Sequence, residues 1–235
     1  MRHKAGPMPR RARKPKANLL WHWLSVSKRI DGLLVGTWES DTKAEAVLCR
    51  VEAALGLIKA HDRLRYERLL RDLERVRVWV HPGGSSASYK KSLRSCELDS
   101  RYVLGEASSL EMIASTIVHE ATHARLMHCG IGYQAELRAR VEMVCVRREL
   151  AFSAKLPNGD QVRESAERSL EYCAADEGYW TDAAMEERYV EDSITAMRHL
   201  GMPDWMVQIF PVFRSLRFSI RRGIRGMIRR SVTRS

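Results

Sequence analysis

The most informative stretch of this 235-residue chain is the pentad His119-Glu120-Ala121-Thr122-His123. Histidines four positions apart share one face of an α-helix, where both imidazole rings can reach a single zinc ion. Glu120 lies about 100° further around the same helix, so its carboxylate can lean toward a water on that zinc and accept its proton. The pentad therefore predicts a metal site with a general base beside it.

The residues around the pentad predict that it lies in a helix. Ser109 is a suitable N-cap, and we expect the helix to end near Met127. Apolar residues recur at helical spacing between these limits: Leu110, Ile113, Ala114, Ile117 and Ala121. The alternative is a core helix whose histidines only form hydrogen bonds. That arrangement would need separate buried partners for both rings and for the carboxylate.

A third ligand must come from outside the pentad, because a catalytic zinc usually has three protein ligands and one open position. A second helix is predicted from Tyr133 to about residue 156. Only a short turn separates it from the first helix, so we expect the two helices to pack antiparallel. Reflection about the turn places Glu142 level with His119. It places Glu136 about 6 Å of helix rise from the midpoint of the two histidines, and Glu149 about 14 Å from that midpoint on the other side.

Glu142 is therefore the predicted third ligand. Ala139, Cys145 and Val146 lie beside it, and these apolar neighbours are typical of a buried position. The alternative for Glu142 is an ion pair with Arg138, four positions earlier.

Residues 116–124 resemble the extended signature of zincin metallopeptidases. Glu142, nineteen positions after His123, resembles the glutamate ligand of the gluzincin branch, and the stretch from Glu142 to residue 157 is loosely similar to compact peptidase domains of the ImmA/IrrE type. The resemblance implies a helix-rich α+β fold with a small sheet and an active-site helix hairpin. It implies that His119, His123 and Glu142 hold Zn²⁺. It also implies that the site hydrolyses peptide or protein substrates, with Glu120 as the general base.

Composition is compatible with one catalytic domain, because 235 residues with 45% hydrophobic content can bury one substantial core. The five cysteines are an odd number without CxxC spacing, which indicates neither a disulfide framework nor a cysteine zinc site. A reducing, cytoplasmic compartment fits this usage. No run of eighteen apolar residues is present, so we expect no transmembrane helix.

The positive charge of the chain belongs to its ends. Residues 1–16 hold seven Lys/Arg and residues 214–235 hold eight Arg, with no acid in either stretch. With these set aside, twenty-five bases remain against twenty-nine acids, so the middle of the chain is slightly acidic. We therefore divide the chain into a disordered basic arm (1–17), a catalytic domain (18–203) and a basic amphipathic segment (204–235).

The C-terminal segment combines an apolar stripe through Phe213, Leu216 and Ile220 with arginines on the other face. Such a helix is typical of peripheral contact with an anionic membrane, and less so of nucleic-acid binding. The simpler alternative is a helix that packs on the domain itself.

The rest of the chain gives a coarse order of elements. Helices are predicted at residues 41–58, 64–73, 161–174 and 183–200, and strands at residues 76–80 and 101–104. In zincin-like folds an edge strand beside the cleft pairs with an extended substrate, and the resemblance implies this role for the strand predicted at residues 101–104. Four late residues are candidates to stabilise an oxyanion: His199, Tyr172, Tyr179 and Tyr189.

A different class of function is also compatible with the sequence. The chain could act as a non-catalytic adaptor that keeps a structural or vestigial metal site and binds membrane or nucleic acid through its basic ends. A structural zinc normally has four protein ligands, and the sequence indicates no convincing fourth donor.

Overall fold

The structure is a computed structural model that describes residues 25–81, 85–175, 178–211 and 214. These residues form a helix-rich α+β fold around one five-stranded mixed sheet. The strands are β1 (Val26–Ile30), β2 (Leu33–Thr37), β3 (Arg75–Trp79), β4 (Ala87–Lys90) and β5 (Ser95–Asp99). The principal helices are α1 (Asp41–His61), α2 (Arg63–Asp72), α3 (Ser100–Leu104), α4 (Leu110–His128), α5 (Ala135–Ser153), α6 (Asp160–Ala175) and α7 (Asp182–His199).

The sheet has the strand order β1-β2-β3-β5-β4. Its three inner strands are parallel, and the edge strands β1 and β4 run antiparallel to their neighbours. The β1–β2 hairpin turns at Asp31 and Gly32, whose φ angles are 46° and 87°. Tight hairpin turns of the primed type need positive φ at both positions, which Asp-Gly supplies at little cost.

The hydrophobic core lies between the sheet and the helices α1 and α4. Val35 and Val76 from the sheet, Leu55 from α1 and Ile117 from α4 belong to one buried cluster. Helix α4, which carries the His119–His123 pentad, is therefore held by the main core of the fold.

The helices predicted around residues 41–58, 64–73, 161–174 and 183–200 and the strand at residues 76–80 are confirmed with small shifts at their ends. The strand predicted at residues 101–104 is wrong, because these residues form the short helix α3. Asp99 caps that helix by accepting a hydrogen bond from the Arg101 backbone N–H at 2.7 Å. The inner strand, β5, lies immediately before it.

The edge strand beside the cleft is β4, not residues 101–104. The predicted basic arm and most of the arginine-rich segment after Pro211 lie outside the described residues. Among the helices that the structure describes, none is both long enough and apolar enough to cross a bilayer.

Candidate metal centre and cleft

Helix α4 turns both histidines of the pentad toward the interior. The Ser109 hydroxyl caps the helix by accepting a hydrogen bond from the Met112 backbone N–H at 3.2 Å. Only 17% of the His119 side chain and 10% of the His123 side chain are exposed. Their Nε2 atoms lie 3.1 Å apart. The two rings therefore point at one position beside the helix.

Glu142 on α5 is the third member of this group. Its Oε2 lies 3.1 Å from His119 Nε2, and its Oε1 lies 3.4 Å from His123 Nε2. Donor atoms around a tetrahedral zinc, with bonds of about 2.0 to 2.1 Å, are about 3.3 Å apart. The three side chains thus have the spacing that a small tetrahedral cation requires.

The charge state of Glu142 also suits a cation. Burial alone would raise the pKa of its carboxyl group, but hydrogen bonds from His119 and His123 outweigh burial and hold that pKa well below its usual range. Glu142 is therefore an anion beside two imidazoles. The alternative partner Arg138 instead donates to Asp182 at 2.6 Å and to the Trp180 carbonyl oxygen at 2.8 Å.

Glu149 lies much closer to the histidines than expected. Its Oε1 is 2.5 Å from His119 Nδ1, and its Oε2 accepts a hydrogen bond from Ser115 at 3.0 Å. The expected separation of about 14 Å of helix rise assumed a symmetric turn and took no account of the reach of the side chains, whereas residues 131–134 connect the helices without regular secondary structure. With Nδ1 facing Glu149, Nε2 is the His119 nitrogen that faces Glu142 and His123.

Cys145 is a further donor beside the histidines. It lies one turn after Glu142, is fully buried, and places its Sγ within 4.8 Å of the ligand atoms of His119 and His123. Burial raises the pKa of its thiol, and the carboxylates of Glu142 and Glu120 raise it further. The sequence analysis treated Cys145 only as an apolar neighbour, although its i+3 spacing from Glu142 could have identified it. Glu136, the rejected carboxylate, is exposed.

Glu120 is buried beside these donors, with 5% of its surface exposed. Burial raises the pKa of its carboxyl group, and the two histidines partly offset that rise. Its Oε2 has no hydrogen-bond partner among the described residues. A buried, unpartnered carboxylate oxygen costs free energy, so it marks a place where a ligand or water is expected.

His119, His123, Glu142 and Glu120 line a cleft with a volume of about 980 Å³. Strand β4 forms one wall, and the segment from Tyr179 to Asp192 forms the other. At the bottom of the cleft, the Tyr133 hydroxyl donates a hydrogen bond to Glu142. The Tyr133 ring centroid lies 5.5 Å from that of His123.

Tyr133 was missed by the sequence analysis, which considered only residues after the second helix. Of the four candidates proposed there, Tyr179 and Tyr189 line the cleft. The side chains of Tyr172 and His199 are exposed and do not line it. The proximity of Tyr133 to the donors appears only when the two helices are packed together.

Of the residues after Pro211, Arg214 is described, and it contacts the domain. Arg214 forms two hydrogen bonds with Glu186, at 2.9 and 3.0 Å, and its guanidinium lies 4.4 Å from the ring centroid of Tyr189. Both partners belong to α7, and Tyr189 also faces the cleft. The start of the segment is thus attached to the helix that forms a cleft wall.

Comparisons of the chain with protein-family models, with curated proteins and with solved structures found no match.

Proposed function

We propose that this protein is a zinc-dependent peptidase of the zincin type. One observation carries the proposal: His119, His123 and Glu142 place their donor atoms 3.1 to 3.4 Å apart, beside a buried Glu120 carboxylate oxygen that has no hydrogen-bond partner in the described part of the chain. Two imidazoles and a carboxylate in tetrahedral spacing favour zinc over the hard cations, which prefer sets of oxygen ligands.

His119, His123 and Glu142 would hold the metal, and Glu149 would orient His119. When bound, zinc polarises a peptide carbonyl and lowers the pKa of a bound water toward about 7. Glu120 Oε2 accepts the proton of that water and returns it to the leaving amine. The raised pKa of Glu120 helps the first transfer, because a carboxylate that is more basic than usual accepts a proton more readily.

The walls of the cleft support a peptide substrate. Strand β4 pairs with β5 on one side only and ends the sheet within the described residues. An extended peptide can add to such an edge through backbone hydrogen bonds. The Tyr133 hydroxyl lies in hydrogen-bond contact with Glu142, so we assign it to the carbonyl oxygen that becomes negative during the reaction.

The test is the variant Glu120→Gln in the zinc-loaded protein. It removes the proton acceptor but leaves the three ligands unchanged, so zinc content and thermal stability should stay at the wild-type level. Hydrolysis of a quenched-fluorescence peptide library should fall by about 10²- to 10⁴-fold, the usual contribution of a general base. Glu136→Gln, on an exposed carboxylate of α5, is the matched control and should hydrolyse peptides at the wild-type rate. Equal rates in Glu120→Gln and wild type would exclude this mechanism.

The second candidate function is a non-catalytic adaptor with a structural metal site. Cys145 favours it, because a fourth donor near the two histidines is what a structural zinc site needs. The two functions differ in one measurable property. A structural site predicts that removal of zinc unfolds the domain and that no peptide in the library is cleaved, whether Glu120 is present or replaced.

A further inference from the structure

Four potential metal donors come from two helices, and each helix supplies a pair. His119 and His123 are four positions apart on α4, and Glu142 and Cys145 are three positions apart on α5. Both spacings bring side chains onto one face of a helix. Paired donors on facing helices are also how metal sites are built inside helical bundles.

The sulfur of Cys145 is within reach of the position that the other donors define. Its Sγ lies within 4.8 Å of the imidazole ligand atoms. In a tetrahedral zinc site with a Zn–S bond of about 2.3 Å, sulfur and nitrogen ligands are about 3.5 Å apart. Relative to the two imidazole nitrogens, the sulfur therefore has to approach by about 1.3 Å at most, which small adjustments of side-chain torsions can provide.

The surroundings of Cys145 favour this role. The residue is fully buried and faces a group that already contains the carboxylates of Glu142 and Glu149. A dication placed among these groups stabilises a coordinating thiolate outright. Thiolate is a soft ligand that suits zinc and cobalt and disfavours magnesium and calcium.

We propose that Cys145 is the fourth ligand of the metal and keeps the site closed in the resting protein. Its sulfur then occupies the position that the peptidase reaction needs for water. This inference therefore rests on the proposed function and adds a way in which the activity is regulated. Opening the site is a ligand exchange: the metal–sulfur bond breaks, the thiolate takes up one proton from solvent, and a water oxygen takes the vacated position.

The coordination can be measured directly on the full-length, zinc-loaded protein by X-ray absorption at the zinc edge. Wild type should show one sulfur neighbour at about 2.3 Å beside nitrogen and oxygen neighbours at about 2.0 to 2.1 Å. The sulfur should disappear in Cys145→Ser and Cys145→Ala, while zinc content is retained. Cys173→Ser is the matched control, because Cys173 is also buried but lies outside the donor group. Wild-type zinc bound only by nitrogen and oxygen would overturn the proposal without needing any variant.

Activity gives a second and independent result. If the open form makes up about a tenth of the molecules, Cys145→Ala should raise the rate of peptide hydrolysis about tenfold. An unchanged or lower rate in a folded, zinc-loaded Cys145→Ala protein would overturn the closed resting state. Hydrolysis by wild type with no sulfur bound would reject the Cys145 ligand and leave the peptidase proposal standing. Bound sulfur together with no hydrolysis in Cys145→Ala would support the ligand and reject the peptidase.

Discussion

Replacing Glu149 should weaken zinc binding in graded steps although Glu149 is not assigned as a ligand. Its Oε1 lies 2.5 Å from His119 Nδ1, and only 19% of its side chain is exposed. Ser115 donates a hydrogen bond to the other carboxylate oxygen, so the carboxylate is held in place. The carboxylate therefore keeps a proton on Nδ1 of His119 and leaves Nε2 free to bind metal.

The size of the effect follows from the kind of hydrogen bond that is lost. A hydrogen bond to a charged group contributes about 1.5 to 3 kcal/mol, and a neutral acceptor contributes about half as much. Glu149→Gln keeps an acceptor without charge, so it should lose about 1 to 1.5 kcal/mol, or about tenfold in zinc affinity. Glu149→Ala removes the acceptor and should lose about 100-fold.

The assay is competition between the metal-free protein and a chromophoric chelator for zinc, at fixed pH. Far-ultraviolet circular dichroism of each variant verifies that the helices are intact. Glu136→Ala is the control, because Glu136 is an exposed carboxylate on the same helix. The reasoning is refuted if Glu149→Ala binds zinc as tightly as wild type, or if Glu149→Gln loses as much affinity as Glu149→Ala.

Three further outcomes are expected. Glu142→Ala should abolish tight zinc binding and Glu136→Ala should not; the reverse result, measured by metal content after dialysis, would show that the wrong carboxylate was assigned. Tyr133→Phe should lower kcat by about 10²-fold with zinc content unchanged, since one donor to the oxyanion is lost; a steady-state assay in which only KM changes would contradict that role. Truncation after Pro211 should abolish cosedimentation with anionic vesicles, because each arginine near such a surface contributes about 1 kcal/mol. If the truncated and full-length proteins cosediment equally, the segment does not bind membrane.

The sheet shows where sequence patterns mislead. In β5, polar and apolar residues alternate from Ser95 to Asp99, as in a half-buried strand, yet all five residues are buried. Glu97 is tolerated because Arg77, directly opposite on β3, forms an ion pair with it at 3.0 Å. That partner is near in space and twenty positions away in the chain. The β1–β2 hairpin is a different case, because Asp31-Gly32 is a strong local turn signal that the sequence analysis did not use.

The sequence alone was sufficient for α4, its Ser109 cap and the shared face of the two histidines, because helical periodicity and capping act within a few residues of the chain. It also predicted that Glu142 lies level with the histidines, since a short connection requires α5 to fold back along α4, and the structure places Glu142 beside both rings. Tertiary structure decided which other groups surround the site. Glu149, Cys145 and Tyr133 come near the histidines only once the two helices are packed together, so their proximity depends on how α5 is placed along α4. A shift of one helical turn is about 5.4 Å, more than the length of a hydrogen bond, so it determines which side chains can meet.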